Sequence, residues 1–104
     1  MIYTIEYSPE SINSLDKITE YLFEKSDTAP FTVLYNIKEK IEKLVFFPRI
    51  GKIAENRPRL RQIIAGNYVV YYEIFEGKRL IMIADIVHSA RQSKIDQIQR
   101  KDSR

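Results

Sequence analysis

The sequence predicts an α+β fold of element order β-α-α-β-β-β, with a two-helix hairpin packed on a small antiparallel sheet. Three observations predict it. A β-branched and aromatic run at residues 2–7 opens the chain, two stretches with apolar residues at helical spacing follow, and three strand-like runs fill the second half. With 104 residues, the chain is expected to form one domain over 1–104, ending in a polar tail from about residue 95.

The limits of the two predicted helices come from capping residues and prolines. The Ser8-Pro9 step matches an N-cap followed by proline at the first helical position, and that helix should end near Lys25. The second helix has Pro30 in its first turn and should stop around Phe47, because Pro48 cannot continue it. Since few residues join the helices, they should form an antiparallel hairpin.

The second half of the chain is predicted to be a loop followed by a three-stranded meander. The loop covers residues 48–58 and contains two prolines and a glycine. The strands are expected at residues 59–65, 68–75 and 79–88. Gly66-Asn67 fits a two-residue hairpin turn with glycine first, and residues 76–78 fit a second tight turn.

Composition restricts the class of protein. The chain has no cysteine, so neither a disulfide nor a thiolate metal site is possible, and a cytoplasmic location is expected. The N-terminus has no basic segment followed by a long apolar run, so no signal peptide is expected, and no stretch is apolar enough to enter a membrane. With one histidine, no acidic cluster at ligand spacing and no glycine-rich phosphate loop, we expect no metal and no cofactor.

Charge is distributed unevenly along the chain. Residues 1–47 contain five Lys/Arg and eight Asp/Glu, a net of −3, whereas residues 48–104 contain twelve and six, a net of +6. A basic half of this kind suggests a surface that meets nucleic acid or an acidic partner, although a solvated face without a role is an equal alternative.

The candidate site is a set of basic side chains in that second half. Its members are Arg49, Lys52, Arg57, Arg59, Arg61, His88, Arg91 and Lys94. Arg59 and Arg61 share a face of their strand, and we expect the start of that strand and the end of the last one to approach the same edge of the sheet. Arginine binds phosphate through two parallel hydrogen bonds, and His88 could move protons near neutral pH. Together they could serve a metal-free ribonuclease.

Structural roles compete with these functional ones. A single histidine at a strand end is more often a hydrogen-bonded structural residue than a catalyst. Arg61 could instead pair with Asp85 or Glu73 and serve stability alone. Asp85 lies inside an apolar run and should have a partner, because a buried unpaired charge is costly.

The order of short motifs resembles the RelE/ParE superfamily of toxins from type II toxin–antitoxin systems. The motifs are Phe47-Pro48, Gly51-Lys52, Arg61, Gly66-Asn67-Tyr68, Tyr71-Tyr72 and Val87-His88-Ser89-Ala90-Arg91, and they cover nearly the whole chain. The resemblance implies the RelE/ParE-like fold and a cognate antitoxin that wraps the toxin. From the basic half and the seams of the helix hairpin, we expect an extended, acidic and apolar antitoxin segment.

The resemblance leaves two cellular targets. ParE-like toxins poison DNA gyrase without breaking bonds themselves, whereas RelE-like toxins cut mRNA on the ribosome without a metal. For a nuclease, the resemblance implies a catalytic role for His88 and phosphate contacts for Arg61 and Lys52. From the basic set itself we expect catalytic roles for His88, Arg61 and Arg91 if the chain is a nuclease, and binding of phosphate or target by Lys52, Arg59, Arg61 and Arg49. No tyrosine follows Tyr72, although RelE-like nucleases often have one near the C-terminus, so the gyrase reading is preferred. A non-catalytic nucleic-acid-binding module or an inactive relic is the remaining alternative.

Overall fold

Two helices lie on one face of a five-stranded mixed sheet in the computed structural model, which describes residues 2–25 and 29–90. The helices are α1 (Pro9–Lys25) and α2 (Ala29–Glu42), and a 3₁₀ turn (Lys43–Val45) extends the second. The strands are β1 (Thr4–Tyr7), β2 (Lys52–Ala54), β3 (Arg57–Ala65), β4 (Tyr68–Phe75) and β5 (Leu80–His88). Their order across the sheet is β1-β5-β4-β3-β2, with β1 parallel to β5 and the other pairs antiparallel.

The predicted α+β class and the helix hairpin are confirmed, and β4 has the predicted bounds. The prediction of an unbroken loop over residues 48–58 is wrong, because β2 pairs with the first half of β3. A left-handed Asn56 (φ 66°) makes the turn between these two strands. A second correction is that β1 adds a parallel edge, so the sheet is not purely antiparallel.

Ser8 fixes the start of α1 against the sheet, as the sequence predicted for an N-cap. Its Oγ accepts a hydrogen bond from the Ser11 backbone N–H at 3.0 Å and donates one to the Ala84 carbonyl at 2.8 Å. The Ser8 backbone N–H also donates to the Ile83 carbonyl. One residue therefore caps the helix and ties it to β5.

The core lies between the helices and the centre of the sheet. Val70 and Tyr72 of β4 are fully buried under Ile37 and Ile41 of α2, and the same cluster includes Ile83 of β5. A second, smaller cluster lies on the opposite face and includes Ala54, Val69 and Tyr71. Since the first part of β4 is covered on both faces, its sequence is a nearly continuous run of apolar and aromatic residues.

An irregularity between β4 and β5 turns Asp85 towards α1. Tyr71 pairs with Asp85, but the next residue, Tyr72, pairs with Ile83, so Ala84 is the extra residue of a bulge. Asp85 Oδ1 accepts hydrogen bonds from Ser14 Oγ at 2.6 Å and from the Ile86 backbone N–H at 2.8 Å. Asp85 therefore has the partner that the sequence required, supplied by a serine rather than by an arginine.

The polar tail predicted from about residue 95, together with Arg91 and Lys94, lies outside the described residues. In the two described ranges, no helix has the length and apolar character needed to cross a membrane.

Candidate functional site

The segment from Pro48 to Gly51 connects the 3₁₀ turn to β2, and the hydroxyl of Tyr72 holds both its ends. Tyr72 Oη donates a hydrogen bond to the Pro48 carbonyl at 2.7 Å and accepts one from the Gly51 backbone N–H at 3.0 Å. The ring of Tyr72 is fully buried, so the position of this hydroxyl is set by the core. Burial raises the pKa of the Tyr72 hydroxyl, and the Gly51 hydrogen bond and the nearby Arg61 charge partly oppose that increase.

Arg61 holds the same segment from the neighbouring strand. Its Nη1 donates to the Gly51 carbonyl at 2.7 Å and, at a longer 3.4 Å, to the Arg49 carbonyl. Neither Asp85 nor Glu73 is its partner: Asp85 is bonded to Ser14, and Arg61 lies opposite Tyr72 in the sheet. Arg61 therefore has a structural contact different from the two considered from the sequence.

Gly51 is required by the close approach of β4 and β3 to this segment. A Cβ atom at this position would lie 2.6 Å from the Gln62 carbonyl oxygen and 2.6 Å from Tyr72 Oη. Contacts this short do not occur between real atoms of these types, and a backbone carbonyl cannot move aside easily. The Gly51 of the resemblance motif thus has a packing role.

The other predicted phosphate-binding residues lie around this segment on the surface. Arg49 forms an ion pair with Glu76, whose second carboxylate oxygen accepts a hydrogen bond from Tyr3 Oη at 2.8 Å. Lys52 and Arg59 are exposed, as is Arg57, on β2 and β3. The structure therefore places four cations on β2, the first half of β3 and the segment before β2, with Arg49 already paired to a carboxylate.

His88 lies at the end of the sheet away from the start of β3, contrary to the expectation from the sequence. Arg61 pairs with Tyr72 of β4, whereas His88 pairs with Tyr68, four residues away along the same strand. Four residues correspond to about 13 Å along a strand, and the two strand spacings across the sheet add about 10 Å in the perpendicular direction. In a meander the start of the first strand meets the start of the third, so the end of β5 cannot reach Arg61.

The surroundings of His88 are a cavity between α1 and the end of β5. His88 packs edge-to-face against Tyr68, with ring centroids 5.3 Å apart, and its Nδ1 accepts a hydrogen bond from the Ala90 backbone N–H at 3.2 Å. The cavity has a volume of about 600 Å³, and its lining includes Glu10, Lys17 and Asp85. Within the described ranges, no three His, Asp or Glu side chains are placed to hold a metal ion together.

Sequence reasoning missed the role of Tyr72 and the pairing of Ser14 with Asp85. It assigned Tyr72 to the core, which is correct for the ring, but the two hydrogen bonds of the hydroxyl depend on where the Pro48–Gly51 segment passes. The sequence contains the residues that form these contacts, namely Pro48, Gly51, Arg61 and Tyr72, but nothing in their spacing indicates that they meet.

Comparison with known proteins decides the family. Residues 5–93 match the model of the ParE toxin of the type II toxin–antitoxin system parDE. The chain belongs to the ParE toxin family. This ParE-family chain is therefore a toxin-type component of a type II toxin–antitoxin system, within the RelE/ParE superfamily that its motifs resemble. A search of curated protein sequences gave no match.

Solved toxin–antitoxin structures have the same fold as this ParE-family chain. The chromosomal ParDE system of P. aeruginosa is 15% identical, with a TM-score of 0.70 over 84% of this chain and 96% of that one. The RelBE2 complex of Mycobacterium tuberculosis is 18% identical, with a TM-score of 0.64 over 85% and 99%. The E. coli RelBE complex is 16% identical, with a TM-score of 0.59 over 83% and 95%. At sequence identities this low, the similarity to these solved structures establishes the fold alone.

Proposed function

We propose that this ParE-family chain inhibits growth by binding DNA gyrase, without cutting RNA itself, and that a cognate antitoxin neutralises it. The observation that carries the proposal is the separation of His88 from Arg61. Arg61 pairs with Tyr72 in the middle of the sheet, whereas His88 pairs with Tyr68 at one end, and the Arg61 guanidinium already donates to backbone carbonyls. The family match supports the same choice, because ParE-like toxins act on gyrase.

The chemistry of RNA cleavage explains why this separation matters. A general base must lie within about 2.6–3.2 Å of the proton that it removes, or reach it through one water. Cations that stabilise the reacting phosphate must surround the same group. The Arg61 guanidinium is bonded to the Gly51 carbonyl, and His88 lies at the end of β5. In this arrangement His88 would have to act without Arg61.

Exposed aromatic side chains on the helices support a protein partner. Phe31 and Tyr35 of α2 are 68% and 65% exposed, and Phe31 packs edge-to-face against Phe23 of α1 with ring centroids 5.9 Å apart. Large apolar side chains left in solvent together commonly mark interaction surfaces, and aromatic residues often contribute most of the binding energy there.

The proposal is tested with the purified chain, purified gyrase and purified translating ribosomes. We expect the chain to inhibit gyrase supercoiling and the His88→Ala variant to inhibit it within about twofold, because removing an acid–base group affects only a chemical step and would cost a nuclease about 10²–10⁴ in rate. In cells, DNA damage and filamentation should precede any fall in translation. Cleavage of ribosome-bound mRNA that is lost in His88→Ala would overturn the proposal in favour of the endoribonuclease.

A further inference from the structure

The cavity between α1 and the end of β5 has two walls of different origin. One wall is a single stripe of α1 whose members recur every three or four residues, namely Glu10, Ser14, Lys17 and Tyr21. The other wall is formed by the start of β4 and the end of β5. Its volume of about 600 Å³ lies within the range of small-molecule sites in proteins, roughly 300–1,000 Å³. The proposed binding of gyrase gives this cavity no role.

Charged groups of both signs line the cavity. Glu10 and Lys17 of α1 and Asp85 of β5 supply two carboxylates and one ammonium group. None of these three side chains forms an ion pair within the described ranges. Asp85 Oδ1 already accepts hydrogen bonds from Ser14 and from the Ile86 backbone N–H, so the Asp85 carboxylate is held in place and its second oxygen can accept from a ligand.

Aromatic rings form the other end of the cavity. Tyr68 packs edge-to-face against His88, and burial raises the pKa of Tyr68, which the nearby Tyr21 raises further. On α1, Tyr21 lies seven residues beyond Ser14, which corresponds to about 10 Å of helix. On β5, His88 lies three residues beyond Asp85, which also corresponds to about 10 Å. Both walls therefore place the aromatic end about 10 Å along the backbone from the contact between Ser14 and Asp85.

We propose that this cavity binds a free aromatic α-amino acid in its zwitterionic form. The ligand ammonium would donate to the carboxylates of Asp85 and Glu10, and the ligand carboxylate would accept a hydrogen bond from Lys17. The aromatic ring of the ligand would pack against Tyr21 and Tyr68 at the other end. Only a ligand that has an ammonium, a carboxylate and a ring meets all of these groups. The inference is independent of gyrase binding and goes beyond it.

Ligands that carry charge of one sign fit the cavity less well than a zwitterion. A nucleotide would bring its phosphates against Glu10 and Asp85, and like charges repel. An aromatic amine without a carboxylate would leave Lys17 without a partner and place two cations in the same cavity. Comparing L-phenylalanine with analogues that each lack one charged group therefore tests the assignment directly.

The first experiment is an NMR titration of the isotopically labelled full chain with L-phenylalanine. We expect saturable shifts centred on residues 85–88 and on the facing turns of α1, with a Kd of about 1 mM or tighter for a ligand of this size. Phenylpropionate, which lacks the ammonium, should bind at least about tenfold more weakly, because it loses the charge-assisted bonds to the carboxylates. Phenethylamine, which lacks the carboxylate, should bind about threefold more weakly, because an exposed ion pair contributes little.

Variants of the charged side chains assign each contact. Lys17→Gln should lower the affinity for L-phenylalanine about threefold and should not lower that for phenethylamine. Lys78→Gln, the same change on the exposed turn between β4 and β5, should alter neither affinity. Asp85→Asn should weaken binding of L-phenylalanine at least about tenfold. Because Asp85 also bonds to Ser14, thermal unfolding verifies that this variant is folded. Glu10→Gln, at an exposed position, removes a carboxylate without touching that bond and should weaken binding about threefold.

Any one of three results would overturn the proposal. The first is that phenylpropionate binds as tightly as L-phenylalanine, which would mean that the ammonium is not recognised. The second is a set of shifts centred away from the cavity, or no saturation at about 10 mM ligand. The third is an equal effect of Lys17→Gln and Lys78→Gln on the affinity for L-phenylalanine. Inhibition of gyrase is measured without the amino acid, so failure of the proposed function and failure of this inference are distinguishable.

Discussion

Arg61 illustrates how one side chain can satisfy a backbone segment that has no regular secondary structure. Carbonyl groups at the ends of a loop need donors, and the guanidinium group can offer several from one planar fork. Arg61 supplies one such bond to Gly51 at 2.7 Å. Its position opposite Tyr72 in the sheet places both side chains beside the same segment, so the two residues act on it together.

The structural role of Arg61 leads to a stability prediction. We expect Arg61→Ala to lower the free energy of unfolding by about 1–2 kcal/mol, because a carbonyl loses a charged donor. Arg59→Ala, two residues away and exposed on the same strand, should change it by less than about 0.5 kcal/mol. Chemical denaturation of both variants measures the difference. Equal, small changes would indicate that Arg61 contributes mainly to binding a target.

At the scale of elements, most of the fold could be predicted from local signals. Ser8 and Lys25 delimit α1 as expected, and the glycine of the Gly66-Asn67 turn has the positive φ (61°) that the hairpin prediction required. β2 was missed because three residues in a proline- and glycine-containing stretch carry no periodic pattern. Its pairing depends on β3, so the information lies in tertiary contact rather than in the segment itself.

The Pro48–Gly51 segment determines where β2 begins, and Gly51 is the residue through which this can be tested. We expect Gly51→Ala to lower the free energy of unfolding by about 2 kcal/mol or more, because the added Cβ would overlap the Gln62 carbonyl and Tyr72 Oη. Gly77→Ala is the matched control, since nothing lies within 4 Å of a Cβ there. Thermal and denaturant unfolding should separate the two variants, and similar stability would contradict the packing role.

At the scale of the whole molecule, the candidate site residues in the basic second half of the sequence lie on more than one surface of the fold. The basic half supplies the cations around Pro48–Gly51, but His88 belongs to the cavity between α1 and the end of β5. Residue types therefore nominate candidate side chains, whereas the division of these side chains into two regions could not be predicted. That division depends on strand order and register, which the residue types do not encode individually.

Three tyrosines with raised pKa values contribute to the response of the molecule to alkaline pH. Burial is the largest cause that raises the pKa of Tyr7, Tyr68 and Tyr72 above the ordinary value of 10.0. Below pH 10 these hydroxyls are protonated in both the folded and the unfolded chain, so their contribution to stability is fully present. As pH rises above 10, the unfolded chain loses these protons first, and the free energy of unfolding should fall until the folded-state pKa values are passed.

The Tyr72→Phe variant isolates one contribution to this fall. It removes the two hydrogen bonds of the hydroxyl, so it should be less stable than the original chain at pH 8. It should also lose less stability between pH 9 and pH 11, because its ring has no proton to release. Denaturant unfolding at several pH values measures both effects, and parallel curves for the original chain and Tyr72→Phe would contradict this account, because the difference between them must narrow as the unfolded state ionises.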